Sequence, residues 1–267
     1  MIRISACIEM LFEEHDFYDR PAAAKAAGLD AFEFWRWRNT DLDRLAPIAA
    51  GVLPLAACCV DTRDAARQNA IQNLGLLDAV NAAVLCENVE ETCQTLMPLG
   101  VRTFLVTTGN ELSTPRHQQH DAVITCLSAA APIAEKYGVT LALEPLNILR
   151  DHKGYYLATS AEAADILRAV NSPNVKMLFD VYHQQITEGN LIPNLTAYAP
   201  LLGHVHVADN PGRNQPGTGE INYRNVLAAI DRSGYTGYIG LEYAPKGVSS
   251  ALSLAGIKQA AVEAAIG

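Results

Sequence analysis

Short apolar runs alternate with longer segments of helical period along the whole chain. Eight of these runs, each six or seven residues long, have the length of buried parallel strands. They cover residues 3–8, 30–35, 52–58, 101–107, 139–145, 175–180, 202–208 and 238–243. This succession predicts a β/α fold in which each strand is followed by a helix.

The segments between the runs carry helix start and stop signals. In TSAEAADILRAV, Thr159 and Glu162 have the spacing of a capping box, and the apolar residues after them form one stripe. Asn222 is placed to cap a later helix. Glycine turns such as KYGVT and RSGYT then end a helix before the next run begins.

The number and order of these units predict a closed (β/α)8 TIM barrel. Eight strand–helix units in 267 residues match that fold in length, and no linker or low-complexity tract divides the chain. We therefore predict one domain over residues 1–267. An open doubly wound sheet is the alternative, but RISACIEMLFEE lacks the G-x-G-x-x-G loop that usually follows its first strand.

Polar residues end the last four runs at equivalent positions. In a parallel barrel the active site lies at the carboxyl ends of the strands, so the last inward-facing residue of each is informative. These residues are Glu144, Asp180, His206 and Glu242. Two positions below them, on the same face, lie Ala142, Leu178, His204 and Gly240. A single carboxylate there is often a loop cap, but four polar residues in a row indicate a shared site.

The charge of this group requires a cation. Two unit charges 4 Å apart repel by about 4 kcal/mol at an effective dielectric of 20, and no lysine except Lys246 closely follows these runs. Three carboxylates with one imidazole suit Mn²⁺, Mg²⁺ or Co²⁺ better than a structural Zn²⁺. We predict one divalent metal ion held by Glu144, Asp180, His206 and Glu242.

Other polar residues lie on one face of the seventh run and of the second run. In GHVHVAD, His204 lies one layer below His206, where core packing is favoured over support of a ligand. In the second run Glu33 and Trp35 share a face. If that face points inward, Trp35 would line one side of the pocket. Glu33 is expected to be a buried, paired carboxylate rather than a catalyst. The following WRWRN predicts an exposed loop near the mouth or an oligomer contact.

Two loop residues are candidates for substrate binding. His183 comes three positions after Asp180, and Arg213 lies in the loop after the seventh run. A guanidinium at a barrel mouth can bind a carboxylate or a sugar oxygen through two hydrogen bonds, although an exposed structural arginine is the alternative. Glu220, in the same loop, has no assigned role.

Composition and charge exclude several classes of function. Hydrophobic residues make up 49% and charged residues 18%, which predicts a globular protein with a large core. The net charge of −9 and the lack of a basic run argue against a nucleic-acid partner. No long apolar stretch or signal-peptide pattern is present, so no membrane contact and a cytoplasmic location are expected. The six cysteines lack metal or disulfide spacing and are interpreted as reduced packing residues. Apolar and aromatic residues in the loops are compatible with a homo-oligomer.

Several motifs resemble those of a known family. LALEPLN, HKGYYL, SPNVKMLFDVYHQQITEGN, GHVHVADNPGRNQPGTGEINY and GLEYAP resemble the hydroxypyruvate isomerase group of the xylose-isomerase-like TIM barrels, which also includes the ketose 3-epimerases. The resemblance covers essentially the whole chain and is densest from about residue 139 to 245. It implies the same four metal ligands, with Glu144 and Glu242 as acid and base and with His183 and Arg213 in contact with substrate.

One position departs from the pattern of the group. Hydroxypyruvate isomerases often carry glutamine at the strand-seven ligand position, whereas ketose 3-epimerases carry histidine, as His206 is here. The resemblance implies an isomerase that converts hydroxypyruvate to tartronate semialdehyde through an enediolate. A ketose 3-epimerase and an inosose dehydratase-like lyase are the alternatives, and a sugar-binding or metal-binding module is the non-enzymatic one.

Overall fold

The chain forms a closed barrel of eight parallel strands in a computed structural model that describes residues 2–266. The strands are β1 (Arg3–Cys7), β2 (Ala31–Glu33), β3 (Leu55–Cys59), β4 (Thr103–Val106), β5 (Thr140–Leu143), β6 (Val175–Asp180), β7 (Leu202–Val207) and β8 (Tyr238–Leu241). Each strand pairs with the next one in sequence, and β8 pairs with β1. The predicted TIM barrel is confirmed. The predicted domain limits, residues 1 and 267, lie outside the described residues and stay a prediction.

Helices connect the strands and pack around the barrel. Within residues 2–266 they are α1 (Arg20–Ala26), α2 (Leu42–Gly51), α3 (Ala65–Leu74), α4 (Ala82–Leu96), α5 (Arg116–Tyr137), α6 (Ser160–Val170), α7 (Val181–Thr187), α8 (Leu191–Ala197), α9 (Tyr223–Arg232), α10 (Ser250–Ser253) and α11 (Ala255–Ile266). The two predicted N-caps are confirmed. Thr159 Oγ1 accepts the backbone N–H of Glu162 at 3.2 Å, and Asn222 Oδ1 accepts that of Asn225 at 3.2 Å. None of these helices combines the length and hydropathy needed to cross a membrane.

The barrel interior has an apolar half and a polar half. Strands β3 to β6 contribute a small apolar cluster made of Ala57, Leu105, Ala142 and Leu178. Strands β1, β2 and β7 contribute the buried polar residues Ser5, Glu33 and His204. The predicted apolar layer below Glu144 and Asp180 is therefore confirmed. A hydrogen-bonded cluster fills the other half.

The prediction for the WRWRN segment is wrong in one respect. Trp37 is fully buried in the main hydrophobic core, within a short 3-10 turn over Trp37–Asn39. The strand β2 ends earlier, at Glu33, and the turn places the indole in the core, where its large apolar surface is removed from water. Arg36 is exposed, and Arg38 pairs with Asp61 at 2.5 Å. Only part of the segment is available to a partner.

Candidate metal centre

Three acids from adjacent parts of the barrel meet at its carboxyl-terminal mouth. Asp180 ends β6, and Glu144 and Glu242 directly follow β5 and β8. One oxygen of each carboxylate and one ring nitrogen of His183 lie within 4.8 Å of one another. All four side chains are buried. Together with His206, we call these residues the mouth cluster.

Asp180 also begins the following helix. Its Oδ1 accepts the backbone N–H groups of Tyr182 at 2.7 Å and His183 at 3.1 Å, which caps α7. Its Oδ2 lies 3.6 Å from Nε2 of His183. The cap fixes the carboxylate, and Oδ2 is left for a ligand in the mouth.

His206 lies beside two of the acids. Its Nδ1 is 3.8 Å from Glu144 Oε1 and 3.5 Å from Glu242 Oε2, distances too long for hydrogen bonds. The side chain is 1% exposed, and Nδ1 has no hydrogen-bond partner in the described part of the chain. A buried nitrogen with two carboxylates in front of it is typical of a cation site.

His183 has a different hydrogen-bonding role, because Asn147 determines its tautomer. Asn147 Oδ1 accepts the backbone N–H groups of Arg150 at 2.9 Å and Asp151 at 3.2 Å, so its Nδ2 faces the other way. That Nδ2 donates to His183 Nδ1 at 2.6 Å. Nδ1 is therefore an acceptor, and Nε2 carries the proton. Burial lowers the pKa of His183 to about 4, which keeps the ring neutral at pH 7.

This tautomer separates the functions of the two histidines. A protonated Nε2 has no lone pair to offer a metal ion, but it can donate a hydrogen bond to a substrate oxygen. Nε2 of His183 is buried and has no hydrogen-bond partner among residues 2–266. His183 is the histidine whose ring nitrogen lies within 4.8 Å of all three acids, whereas His206 groups with Glu33 and His204. The hydrogen bond from Asn147, and not the distance, thus favours His206 over His183 as the imidazole ligand.

The electrostatics of the mouth cluster reflect its unbalanced charge. Burial, reinforced by the charge of Glu242, raises the pKa of Asp180. Burial alone would lower the pKa of His206, but the charges of Glu242 and Glu33 hold it well above its usual range. Burial alone would raise the pKa of Glu242, but His206 and Arg213 hold it well below its usual range. Positive charges of the chain itself, on His206 and Arg213, thus offset part of the charge of these acids.

The remaining predicted substrate contacts both reach Glu242. The indole Nε1 of Trp35, which is half-buried, donates to Glu242 Oε1 at 2.7 Å. Nη2 of Arg213 donates to Glu242 Oε2. Arg213 has a φ of +53°, a left-handed conformation that a non-glycine residue adopts only where surrounding contacts hold it. All the residues predicted for the site are therefore brought together at the mouth; their roles stay predictions.

The layer below the mouth contains His204 and Glu33. His204 is not simply packed in the core, because its Nε2 lies 2.9 Å from Glu33 Oε2. Glu33 is buried and paired with histidines, as expected. Burial alone would raise its pKa, but the charges of His206 and His204 lower it to about 2. Glu220, the unassigned acid, is exposed and accepts hydrogen bonds from Gln185 and Asn210.

Sequence reasoning missed Asp209, which organises the loop that carries Arg213. Its Oδ1 accepts the N–H groups of Asn210 at 3.0 Å and Ile221 at 3.2 Å. Its Oδ2 accepts those of Gly217 at 2.7 Å and Gly219 at 2.9 Å. The carboxylate is fully buried and joins the two ends of the loop. The glycines of GTGE, at positions 217 and 219, were the available sequence signal.

Replacement of Asp209 by alanine should destabilise the protein. Four backbone N–H groups would lose their charged acceptor, so we expect the free energy of unfolding to fall by at least about 3 kcal/mol. Urea denaturation followed by circular dichroism measures this change. The matched control is Glu220→Ala, an exposed acid in the same loop, which should stay within about 0.5 kcal/mol of wild type. Equal stability of the two variants would refute the role of Asp209.

Comparison with known proteins places the chain in a family. A family model described as a xylose isomerase-like TIM barrel matches residues 21–261. The hydroxypyruvate isomerase of Escherichia coli strain K12 is 30% identical over 264 residues, covering 94% of this chain and 96% of that protein. The 2-oxo-tetronate isomerase of Cupriavidus necator is 32% identical over 254 residues, covering 94% and 96%.

Solved structures share the fold. A protein described as an AP endonuclease, family 2, from Brucella melitensis superposes with a TM-score of 0.88 at 27% identity, over 97% of this chain and 99% of that one. An L-ribulose 3-epimerase superposes with a TM-score of 0.80 at 21% identity, over 100% and 96%. The second likeness shows the fold alone.

The fold and the site define a (β/α)8 barrel with an acidic site at its carboxyl-terminal mouth. The comparisons identify its family. The chain belongs to the xylose isomerase-like TIM barrel family. The predicted resemblance is confirmed, as is the prediction of an isomerase-class enzyme.

Proposed function

We propose that the protein is a divalent-metal-dependent isomerase of a small α-hydroxy carbonyl compound, with hydroxypyruvate as substrate and tartronate semialdehyde as product. The observation that carries this proposal is the pair of buried glutamates, Glu144 and Glu242, which each have an oxygen within 3.8 Å of Nδ1 of His206. Relatives named hydroxypyruvate isomerase and 2-oxo-tetronate isomerase align with nearly the whole chain, which supports the reaction class.

The donor atoms at the mouth fit a divalent ion. Glu144, Asp180, His206 and Glu242 would hold it, and the unpartnered Nδ1 of His206 is the nitrogen donor of this set. Three carboxylates and one imidazole suit Mn²⁺, Mg²⁺ or Co²⁺. When bound, such an ion would polarise the substrate carbonyl and stabilise the negative charge that develops on the substrate oxygens.

The two glutamates would move the proton. Conversion of hydroxypyruvate to tartronate semialdehyde removes a proton from C3 and adds one at C2, while the hydroxyl proton on O3 is transferred to O2. Glu144 and Glu242 follow different strands and would approach the substrate from different sides, so one carboxylate could take the carbon-bound proton and the other return it.

The other residues at the mouth would orient the substrate. Nε2–H of His183 would donate to a substrate oxygen, because its Nδ1 is occupied by Asn147. The guanidinium of Arg213 would bind the substrate carboxylate, exchanging its contact with Glu242 for the ligand. The indole of Trp35 would line the pocket and limit access of water to the substrate.

Incubation with candidate substrates in deuterated water tests this proposal. Hydroxypyruvate and a set of unphosphorylated ketoses would each be assayed with Mn²⁺, Mg²⁺ and Co²⁺. We expect hydroxypyruvate to give tartronate semialdehyde of conserved composition, with deuterium incorporated at carbon. Loss of a water molecule from a substrate would instead identify a lyase. Metal and substrate binding without exchange would identify a binding module.

A ketose 3-epimerase is the second candidate. His206 favours it, because the ketose 3-epimerases resembled by this sequence carry histidine where hydroxypyruvate isomerases often carry glutamine. Inversion at C3 of a ketose, with no turnover of hydroxypyruvate in the same assay, would establish this function in place of the first. The cytoplasmic location and the homo-oligomer stay predictions.

A further inference from the structure

Below the mouth, the polar half of the barrel interior holds Glu33 between two histidines. Oε2 of Glu33 accepts a hydrogen bond from Ser5 Oγ at 3.0 Å and lies 2.9 Å from Nε2 of His204. Oε1 lies 2.9 Å from Nε2 of His206. All four side chains are at most 3% exposed. The carboxylate therefore spans the layer directly below the mouth cluster.

The contact between Glu33 and His206 joins two atoms that have no other partner. Neither Oε1 of Glu33 nor Nε2 of His206 has a hydrogen-bond partner in the described part of the chain, although the two atoms lie 2.9 Å apart. Buried polar atoms are normally paired, and these two lie within hydrogen-bond distance of each other. With Nε2 turned to Glu33, the opposite nitrogen Nδ1 faces Glu144 and Glu242.

A glycine on β8 makes room for this contact. A Cβ atom added to Gly240 would lie 2.1 Å from Oε1 of Glu33 and 2.7 Å from Cδ2 of His206. Gly240 pairs with His206 in the sheet register, so any larger residue would push Glu33 and the imidazole apart. The absence of a side chain at this position is thus a steric requirement of the Glu33–His206 pair.

We propose that Glu33 is a positioning residue for the metal centre: it fixes the ring of His206 so that Nδ1 faces the ion. Ser5 and His204 in turn hold the carboxylate. This inference rests on the proposed metal-dependent function. A histidine that binds a metal commonly donates its second N–H to a carboxylate, and loss of that carboxylate weakens metal binding by about 10–100-fold. Glu33 lies one layer below the mouth and acts through His206.

Binding of Mn²⁺ by purified full-length protein tests the proposal without an activity assay. The Kd is measured from the electron paramagnetic resonance signal of free Mn²⁺, and ¹⁴N coupling to bound Mn²⁺ reports the imidazole ligand. We expect Glu33→Gln to raise the Kd by about 10–100-fold and to weaken the ¹⁴N coupling. His206→Gln should abolish the coupling. Glu87→Gln, an exposed acid on α4, should leave both unchanged.

Further variants and outcomes separate this inference from the proposed function. If Glu33→Gln does not fold, Glu33→Asp is used, because it keeps the charge but shortens the reach to His206; it should show the same weakening. Wild-type affinity and coupling in the folded variant would overturn the inference and leave the metal site intact. Wild-type protein that binds Mn²⁺ without ¹⁴N coupling would overturn it as well. Wild-type protein that binds no Mn²⁺ would overturn the proposed function itself.

Discussion

Replacement of Glu144 or Glu242 by glutamine should lower kcat by about 10³-fold and leave the barrel folded. A general acid or base typically contributes about 10²–10⁴-fold, and each glutamate is also a proposed metal ligand. Glutamine keeps the volume of the side chain but cannot take a proton from carbon. Steady-state rates at saturating metal measure the effect, with hydroxypyruvate as the first substrate.

The control for this prediction is a glutamate that lies far from the mouth. The Glu87 side chain is 65% exposed on α4, so Glu87→Gln should keep wild-type activity. Circular dichroism and thermal unfolding of all three variants show whether the fold is intact. Full activity in either Glu144→Gln or Glu242→Gln would remove that residue from the proton transfer.

Removal of divalent metal should abolish turnover. Three buried acids of the mouth cluster lie close together, and Nδ1 of His206, the nitrogen donor that we propose, has no hydrogen-bond partner among the described residues. After exhaustive dialysis against EDTA, we expect no activity, and addition of Mn²⁺, Mg²⁺ or Co²⁺ should restore it. Metal at about 100 times its Kd should also add about 2.7 kcal/mol to the free energy of unfolding.

Dialysis against EDTA already saturated with Mn²⁺ is the control, because it exposes the protein to the chelator without removing metal. Elemental analysis confirms that the sample dialysed against metal-free EDTA contains no divalent metal. Turnover in that metal-free sample would exclude the ion from the mechanism, whatever the protein binds under other conditions.

The site residues at the strand ends could be predicted from the sequence because strand geometry follows simple rules. Side chains alternate between two faces, and all parallel strands of a barrel end at the same side. Glu144, Asp180, His206 and Glu242 therefore had to lie near one another once eight strands were recognised. The apolar layer of Ala142 and Leu178 follows from the same alternation.

The contacts that assign roles to the histidines could not be predicted in this way. His204 meets Glu33 across 171 positions of sequence, and His183 meets Asn147 across 36. Such pairs depend on how strands and loops are placed in space, which local periodicity does not encode. Trp37 shows the same limit, because it was expected in an exposed loop, and a three-residue turn places it in the core.

The central claim is that Glu144, Asp180, His206 and Glu242 surround one divalent ion at the barrel mouth. The most direct test is an anomalous difference map from crystals of the protein grown with Mn²⁺. We predict one peak at bonding distance from the three carboxylates and from Nδ1 of His206. A peak bound to Nε2 of His183 in place of His206, or no peak at the mouth, would contradict the account.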